Sequence, residues 1–414
     1  METLRSEAET IFRSAVAAVD PHAAVRRFVR VKGNSLSVGP EAEPVRTFDL
    51  DRFERIFLVG GGKAASPMAR AMEELLGTRI IRGIINVKYG FGSKLSVTET
   101  VEARHPLPDE KGIQGTAKIL TLLQSAGERD LVFSMISGGG SALLVHPGEG
   151  ISLQDMQELT RTLLECGAGI DEINTLRKHI SAVKGGQMAR AAMPATTINL
   201  MLSDVVGDRM DIIASGPFVP DHSTFREAWE ILEKYNLRDV PRSIRARLKE
   251  GMEGRIPETP KADDPAFARV HNLIVGSNML ALQAAEKKAV SLGYNSLILS
   301  SMIEGETREV ARVHTGIAKE VLKTGKPVRP PACIISGGET TVTIRGKGLG
   351  GRNQEFCLAA ALELKGLPDR AVILSGGTDG DDGPTEAAGA IVDSQTVARG
   401  EQAGMAASDF LQDN

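Results

Sequence analysis

The pattern of apolar residues changes near residue 54. Over residues 1–30, apolar side chains recur at helical spacing, and Asp20-Pro21 marks the start of a second helix. From residue 54 onward, short apolar runs alternate with glycine-rich turns and amphipathic segments. This alternation is typical of a parallel sheet with connecting helices, so the pattern predicts an α/β fold.

Six of the apolar runs end in glycine-rich or polar turns. They are RIFLVGGGK at 55–63, LVFSMISGGGS at 131–141, TINLMLSDVVGD at 197–208, NLIVGSN at 272–278, ACIISGGET at 332–340 and AVILSGGTDG at 371–380. Ligands of open α/β sheets bind at the carboxyl ends of the strands. The six turns are therefore the candidate binding segments.

The length of the chain predicts two domains, because 414 residues exceed what one hydrophobic core usually serves. The stretch 249–269 is polar, contains three prolines and lacks periodicity, so we predict that it links them. The predicted α/β domains are then residues 1–255 and 268–414.

The charge and cysteine content narrow the class of protein. With 49 Lys+Arg against 53 Asp+Glu, the formal charge of -4 argues against nucleic-acid or membrane partners. Three widely spaced cysteines without a C-x-x-C pair favour a reducing compartment. The first ten residues are acidic and no run is long enough to span a membrane, so we expect a cytoplasmic protein.

The best defined turn is the GGGK segment at 60–63. We expect Ser66 to be the N-cap of the next helix, Pro67 its first residue and Gly77 its end. Three glycines allow close approach of an anion, and Lys63 adds a positive charge. The alternative is a tight turn beside a solvated lysine.

Repetition of the glycine turns, together with acids near three of them, favours a Mg²⁺–nucleotide site, because Mg²⁺ takes oxygen ligands and bridges phosphates. The candidate nucleotide contacts are Gly61, Gly62, Gly138, Gly139, Ser141, Asn278, Gly337 and Gly338. The acids are Asp204, Asp208, Glu339, Asp379, Asp381 and Asp382. Each acid taken singly fits helix capping or turn formation equally well.

Other motifs leave alternatives open. No Walker P-loop is present, but a G-x-G-x-x-G at 346–351 raises a nicotinamide-dependent reductase as the rival function. Its cationic loop suits phosphate or carboxylate better than a ribose hydroxyl. The run INTLRKHISAVKGGQMAR at 173–190 is a third cationic candidate or a solvated helix face. His105 and His146 are expected to be ordinary loop residues.

The combination of motifs resembles the glycerate 2-kinase family with a C-terminal MOFRL domain, whose members are often labelled hydroxypyruvate reductase. The matching segments are VGGGKAASPMA, ISGGGSALL, INTLRKHISAVKGG, LSDVVGDRMDIIASGP, SGGETTVTIRGKGLGGRNQEF and LSGGTDGDDGPTEAAGAIVD, between about residues 55 and 393. Family members usually continue into a tail rich in glycine and threonine that this sequence does not contain.

The resemblance implies a Rossmann-like first domain and an active-site cleft between two α/β domains. It favours Lys63 and Arg352 as catalytic residues, with Asp204, Glu339 and Asp379 as acids of the site. ATP, Mg²⁺ and D-glycerate are the implied ligands, and Asp379 or Asp204 is the metal ligand or the base. Alternatively, Arg352 caps its own helix or pairs with Glu355. A homodimer is compatible with the sequence, which does not decide the oligomeric state.

Overall fold

The structure is a computed structural model that describes residues 1–40, 46–237, 239–368 and 370–413. The helices are α1 (Glu2–Ala18), α2 (Pro21–Phe28), α3 (Ala65–Leu76), α4 (Glu110–Gln124), α5 (Gly140–Leu143), α6 (Leu153–Glu165), α7 (Ile170–His179), α8 (Gln187–Ala192), α9 (Phe225–Lys234), α10 (Arg242–Met252), α11 (Asn278–Ser291), α12 (Thr307–Thr324), α13 (Arg352–Leu364), α14 (Thr396–Gln402) and α15 (Ala407–Gln412). The strands are β1 (Val29–Lys32), β2 (Ser35–Val38), β3 (Arg46–Asp49), β4 (Arg55–Gly61), β5 (Ile80–Lys88), β6 (Thr98–Ala103), β7 (Asp130–Ile136), β8 (Thr196–Leu202), β9 (Val270–Gly276), β10 (Asn295–Glu306), β11 (Ala332–Thr341), β12 (Val372–Gly376) and β13 (Gly389–Asp393).

The chain forms two compact units. The sheet unit comprises Pro21–Ser277, and the second unit comprises Met1–Asp20 together with the chain from Asn278 onward. This division differs from the predicted domains at two points, because α1 packs in the second unit and the sheet unit extends beyond residue 255. The α/β class predicted for both parts is confirmed, and so are the two helices predicted near the N-terminus, although β1 already begins at Val29.

A six-stranded parallel sheet organises the sheet unit. Its strand order is β6-β5-β4-β7-β8-β9. The strands that follow β4 are added toward one edge of the sheet, and those that follow β7 are added toward the other edge. This is the order of a doubly wound Rossmann-type sheet. Strand β7 is buried along its whole length, as expected where helices cover both faces of a parallel sheet.

The stretch predicted as a linker lies within the sheet unit. It begins in the last turn of α10, and its later part leads into β9, the sixth strand of the sheet. Thr259 is buried and donates a hydrogen bond to Asp221 at 2.9 Å, and Ala266 is buried in the core. An absence of periodicity therefore marks an irregular segment here, and the chain enters the second unit only after Ser277.

The second unit contains two small sheets and their helices. Strands β10 and β11 are parallel, whereas β12 and β13 form an antiparallel pair. Helix α1 packs on α11, with Ile11, Ala15, Ala281 and Leu282 in one apolar cluster. Arg5 of α1 also forms an ion pair with the buried Asp393 at 2.7 Å.

Among the described residues, no helix combines the length and apolar character needed to cross a membrane.

Candidate functional site

The site of the sheet unit lies where β4 and β7 end side by side. Gly61 at the end of β4 is in register with Ile136 at the end of β7. The GGGK segment follows the first of these strands, and Ser137–Ser141, which we name the SGGGS segment, follows the second. Since the strand order reverses between β4 and β7, the connections diverge here and leave the crevice that ligands of such sheets occupy.

The two segments are joined by their backbones. The N–H of Lys63 donates to the carbonyl of Gly138 at 2.8 Å, and the N–H of Ala64 donates to Oγ of Ser137 at 3.0 Å. The N–H of Gly62 donates to the carbonyl of Asn86 at 3.1 Å. The GGGK backbone donors are therefore used inside the protein, and what this segment offers a ligand is the Lys63 side chain.

The glycine at position 62 is required by geometry. Its φ of 139° lies in a region that other residues rarely adopt, and a Cβ here would collide with the side chain and carbonyl of Ser137. Gly62 thus allows the GGGK and SGGGS segments to pack closely, which is a different role from the predicted nucleotide contact.

The SGGGS segment leaves two backbone donors available. Among the described residues, none accepts a hydrogen bond from the N–H of Gly138 or Gly139, whereas the N–H of Gly140 is bonded to the Ser137 carbonyl at 3.1 Å. Gly138 and Gly139 are half-buried, so an anion can reach these groups. Consecutive free N–H groups form an anion-binding concavity.

Helix α3 begins earlier than predicted. Its N-cap is Ala64, and Ser66 is buried in the first turn, where its hydroxyl binds the hydroxyl of Ser93 at 2.6 Å. The expected N-cap at Ser66 is therefore wrong, because the hydroxyl holds the loop after β5 instead. The helix does end at Gly77, which has a φ of 55°.

Three ionisable side chains border Gly138 and Gly139. The carboxylate of Asp204, which follows β8, occupies the space that a Cβ of Gly138 would need. A Cβ on Gly139 would lie 3.0 Å from the ring of His105 and 3.5 Å from Cγ of Lys63, so both side chains are next to this glycine. The predicted residues Lys63, Gly138, Gly139 and Asp204 are thus brought together.

His105 was expected to be an ordinary loop residue, but its ring lies against Gly139 of the candidate site. Burial lowers the pKa of its imidazole, and the positive charges of Lys63 and Lys88 lower it further. A single histidine in a loop carries no signal of its own in the sequence. Only the fold places its ring beside the two glycines.

Ser141 is held by a chain of hydroxyl groups. Ser215 donates to Oδ1 of Asn174 at 2.7 Å, so its single proton is used and Ser141 donates to Ser215 at 2.8 Å. Ala214 and Ser215 have positive φ values of 52° and 61°. Two adjacent non-glycine residues in this region indicate backbone strain, which is common at functional sites.

A buried lysine also holds the SGGGS segment in place through hydrogen bonds. Lys184 is 1% exposed, and its ammonium group donates to the carbonyls of Ser141 and Leu144 at 2.7 and 3.1 Å. Burial lowers the pKa of Lys184 to about 7, and the nearby charge of Arg177 acts in the same direction. Lys184 of the cationic run at 173–190 thus contacts the SGGGS segment, and because Lys178 and His179 of the same run are also buried, the run is not a solvated helix face.

The second unit holds the remaining candidates. Gly337 and Gly338 lie inside β11, which continues to Thr341, so SGGET is a strand segment and not the predicted turn. A Cβ on Gly337 would collide with the side chain of Asn278, which donates to the carbonyl of Ser301 at 3.0 Å. Gly337 and Asn278 are therefore adjacent.

Arg352 is the first residue of α13 and forms an ion pair with Glu339 of β11. Both side chains are about half exposed. Glu355 is buried and pairs instead with Arg308 at 3.0 Å. The alternative in which Arg352 pairs with Glu355 is thus wrong, and two predicted site residues, Arg352 and Glu339, are in contact.

Acids of the second unit also close turns and helix ends. Asp382 is buried and accepts hydrogen bonds from the backbone N–H groups of Asn353 and Gln354, both at 2.9 Å, at the start of α13. This helix end is therefore occupied by a carboxylate of the protein itself. Asp379 accepts a hydrogen bond from the N–H of Asp381 at 3.3 Å within its own exposed turn.

The described side chains contain no group of three His, Cys, Asp or Glu residues close enough together to hold a metal ion. Mg²⁺ bound with a nucleotide needs only one or two carboxylates besides phosphates and water. The Asp204 carboxylate beside the free N–H groups of Gly138 and Gly139 fits that requirement.

Comparisons with known proteins agree with this architecture. The family described as "Domain of unknown function (DUF4147)" matches residues 7–249, and the "MOFRL family" matches residues 332–414. A "Glycerate 2-kinase" of Pyrococcus horikoshii is 42% identical over 97% of this chain and 88% of its own. A "D-glycerate 2-kinase" of Thermotoga maritima is 40% identical over 95% of this chain and 92% of its own.

Another relative, from Agrobacterium vitis, is 41% identical over 95% of this chain and 84% of its own, and its name gives hydroxypyruvate reductase as a provisional assignment. The crystal structure of a glycerate kinase from Thermotoga maritima matches with a TM-score of 0.87 and 39% identity, over all of this chain and 92% of its own. With both domains matched and relatives similar over nearly their whole length, the chain belongs to the DUF4147–MOFRL family of glycerate kinases.

Proposed function

We propose that this protein is a D-glycerate 2-kinase, which transfers the γ-phosphoryl group of ATP to the 2-hydroxyl of D-glycerate. The observation that carries the proposal is the group of Lys63, Asp204 and the free N–H groups of Gly138 and Gly139 at the centre of the sheet. Curated relatives named as glycerate 2-kinases support the choice of substrate. The three unpaired cysteines fit a cytoplasmic enzyme.

Catalysis of phosphoryl transfer rests on positioning and on neutralising the charge that develops on the transferring group. We propose that the N–H groups of Gly138 and Gly139 donate to phosphate oxygens and that the Lys63 ammonium neutralises charge in the transition state. Asp204 would hold Mg²⁺, with Asp379 of the second unit as the other candidate ligand. Mg²⁺ would supply charge neutralisation between neighbouring phosphate oxygens.

Asp204 and Asp379 are also the candidates for the base that accepts the proton of the 2-hydroxyl. Asp204→Asn and Asp379→Asn separate these roles. Loss of a metal ligand raises the Mg²⁺ concentration required for half-maximal rate, and excess Mg²⁺ recovers activity in part. Loss of the base lowers kcat at every Mg²⁺ concentration and removes the acidic limb of the pH–rate profile.

The reductase alternative has weaker geometric support. The G-x-G-x-x-G segment at 346–351 precedes α13, but the Asp382 carboxylate already accepts the N–H groups at the start of this helix. A dinucleotide fingerprint requires those groups for the pyrophosphate. The N–H of Gly348 is also used, since it donates to the carbonyl of Asp413 at 2.6 Å.

Phosphorus NMR tests the proposal directly. D-Glycerate, ATP and Mg²⁺ should give a product whose phosphorus signal is a doublet, because a phosphate on the 2-oxygen couples to a single proton. A triplet would indicate the 3-phosphate and would reject the assigned position. EDTA should stop the reaction. Oxidation of NADH by hydroxypyruvate without phosphoryl transfer would establish the reductase, and binding without either turnover would indicate a sensor.

A further inference from the structure

Two cations of the sheet unit, Arg177 and Lys184, lie near one another without a described carboxylate partner. Lys184 donates only to the backbone carbonyls of Ser141 and Leu144. No described residue accepts a hydrogen bond from the half-buried Arg177 guanidinium. The two charges are close enough for Arg177 to disfavour protonation of Lys184. This repulsion destabilises the ligand-free protein, and an anionic ligand bound between the two cations would offset it.

The neighbouring residues of α7 show that the region does not lack acids. Lys178 is buried and pairs with Asp221 at 3.2 Å and with Asp211 at 3.6 Å. His179 is buried beside Glu258 at 3.3 Å. The adjacent basic side chains of this helix thus lie beside carboxylates, whereas Arg177 does not. An arginine left with five donors and no acceptor is costly to bury.

Two observations relate the α7 face that carries Arg177 to the SGGGS segment. Asn174 lies three residues earlier, on the same face of α7, and is joined to Ser141 through Ser215. The charge of Arg177 lowers the pKa of Lys184, and Lys184 donates a hydrogen bond directly to the Ser141 carbonyl. The helix face that carries Arg177 is therefore joined to the Ser141 end of the segment, which is opposite to Gly138.

We propose that Arg177 binds an oxyanion of the ligand at the Ser141 end of the SGGGS segment, with Lys184 as a positioning residue that fixes this segment. The oxyanion is the carboxylate of D-glycerate or a phosphate of ATP, since a planar guanidinium binds both through two parallel hydrogen bonds. The inference rests on the proposed function for the identity of the two ligands. The anion site itself follows from the unpaired cations.

The decisive measurement combines stability with affinity in Arg177→Met. Removing a half-buried cation next to Lys184 relieves repulsion, so the melting temperature of the ligand-free protein should stay the same or rise. Calorimetry should then show that one ligand, D-glycerate or a non-hydrolysable ATP analogue with Mg²⁺, binds roughly 10- to 100-fold more weakly, because charge-assisted hydrogen bonds are lost. Arg177→Lys should recover less than a tenth of that loss.

The ligand affected identifies the source of the oxyanion. A rise confined to Kd and KM for D-glycerate assigns Arg177 to the carboxylate, and a rise confined to the ATP analogue assigns it to a phosphate. Arg161→Met, which changes an exposed arginine of α6, is the control and should alter neither value. Unchanged binding of both ligands by Arg177→Met, or a large loss of stability, would overturn the proposal.

Inorganic phosphate separates this inference from the kinase assignment. Phosphate should raise the melting temperature of the wild-type protein and should do so less in Arg177→Met. If the protein makes no phosphoglycerate but this difference is found, the proposed function fails and the anion site stands. If phosphoglycerate forms while both proteins respond equally to phosphate and bind both ligands equally, only the anion site fails.

Discussion

The carboxylate of Asp204 lies against Gly138, in the space that a methyl group on this glycine would occupy. Gly138→Ala should therefore displace Asp204 without disrupting the fold, because the carboxylate is the mobile end of a side chain. We expect kcat to fall on the order of 10²-fold, as a shift of about 1 Å in a catalytic group can cause. The melting temperature should change little.

Gly62→Ala is the matched comparison for this experiment. Its Cβ would meet the Ser137 carbonyl, which cannot move freely, and the φ of 139° adds strain. This variant should lose several degrees of melting temperature. An equal loss of stability in both variants would mean that Gly138 is needed for packing alone.

Lys63→Ala should lower kcat by about two to three orders of magnitude, the effect of removing one donor that acts in a transition state. The backbone N–H of Lys63 and its bond to Gly138 are kept in the variant, so the fold should be unaffected. Lys94→Ala removes an exposed lysine from the loop after β5 and should leave kcat unchanged. Activity of Lys63→Ala within a few fold of wild type would make Lys63 a residue outside the reaction.

The pKa of His105 should respond to the charge of Lys63. Burial is the main reason why this pKa lies below its ordinary value, and Lys63 contributes because a nearby positive charge disfavours the imidazolium. Lys63→Met should raise the pKa of His105 only in part, since burial remains. NMR titration of the ring protons provides the measurement, and a pKa unaffected by Lys63→Met would contradict the arrangement of the two side chains.

Arg352→Lys should be almost as damaging as Arg352→Ala. A guanidinium can bind a carboxylate or phosphate through two parallel hydrogen bonds, which an ammonium group cannot reproduce. Both variants should keep the wild-type melting temperature, because the exposed pair with Glu339 contributes only about 0.2–1 kcal/mol. We propose steady-state measurement of kcat and of KM for both substrates.

Glu339→Gln removes the observed partner of Arg352 without removing the arginine. If Glu339 binds Mg²⁺, the Mg²⁺ requirement should rise. If it only holds Arg352, the requirement should stay the same while KM changes. A wild-type-like Arg352→Lys enzyme would remove the two-point contact from the mechanism.

Stability in acid should depend on Glu258. Burial alone would raise its pKa, but the hydrogen bond with His179, the N–H of Phe225 and the charges of His179 and Lys261 lower it to about 2. The folded pKa is thus below the unfolded value of 4.5, so the contribution is full above pH 4.5 and is lost as the pH falls toward 2.

Glu258→Gln should therefore show a shallower fall of melting temperature between pH 4.5 and 2 than the wild type, and a lower melting temperature at pH 7. Glu165→Gln changes an exposed carboxylate of α6 and should leave the dependence of melting temperature on pH unchanged. Parallel profiles for wild type and Glu258→Gln would show that the hydrogen bond between His179 and Glu258 does not form in solution.

The sequence predicted the positions of the glycine segments at the strand ends because the signals for them are local. A buried strand followed by glycines can be recognised from a few residues, and this placed Lys63, Gly138 and Gly139 at one edge of the sheet. The contacts of Asp204 with Gly138 and of His105 with Gly139 depend on loops that are distant in sequence. The sequence predicted Asp204 as a site acid because it follows a strand, but it did not indicate which glycine Asp204 contacts, and it gave no indication of the neighbours of His105.

One prediction, the N-cap at Ser66, and one alternative, the pairing of Arg352 with Glu355, fail because another partner takes the side chain. Ser66 has the properties of an N-cap, but its hydroxyl is bonded to Ser93 inside the structure. Glu355 is placed three residues after Arg352, yet Arg308 from α12 pairs with it instead. The segment 249–269 lacks periodicity because its backbone is irregular, although Ala266 and Thr259 are buried.

The chain begins and ends in the same unit, since α1 packs on α11 and Arg5 pairs with Asp393. During synthesis, α1 leaves the ribosome long before these partners exist, whereas the sheet unit is complete once Ser277 has emerged. The sheet unit can therefore fold while translation continues, and the second unit cannot. Ribosomes stalled soon after Ser277 has emerged from the exit tunnel would carry a folded sheet unit. The helix that precedes this unit would expose its apolar side, including Ile11 and Ala15, because its partners in the second unit have not yet formed.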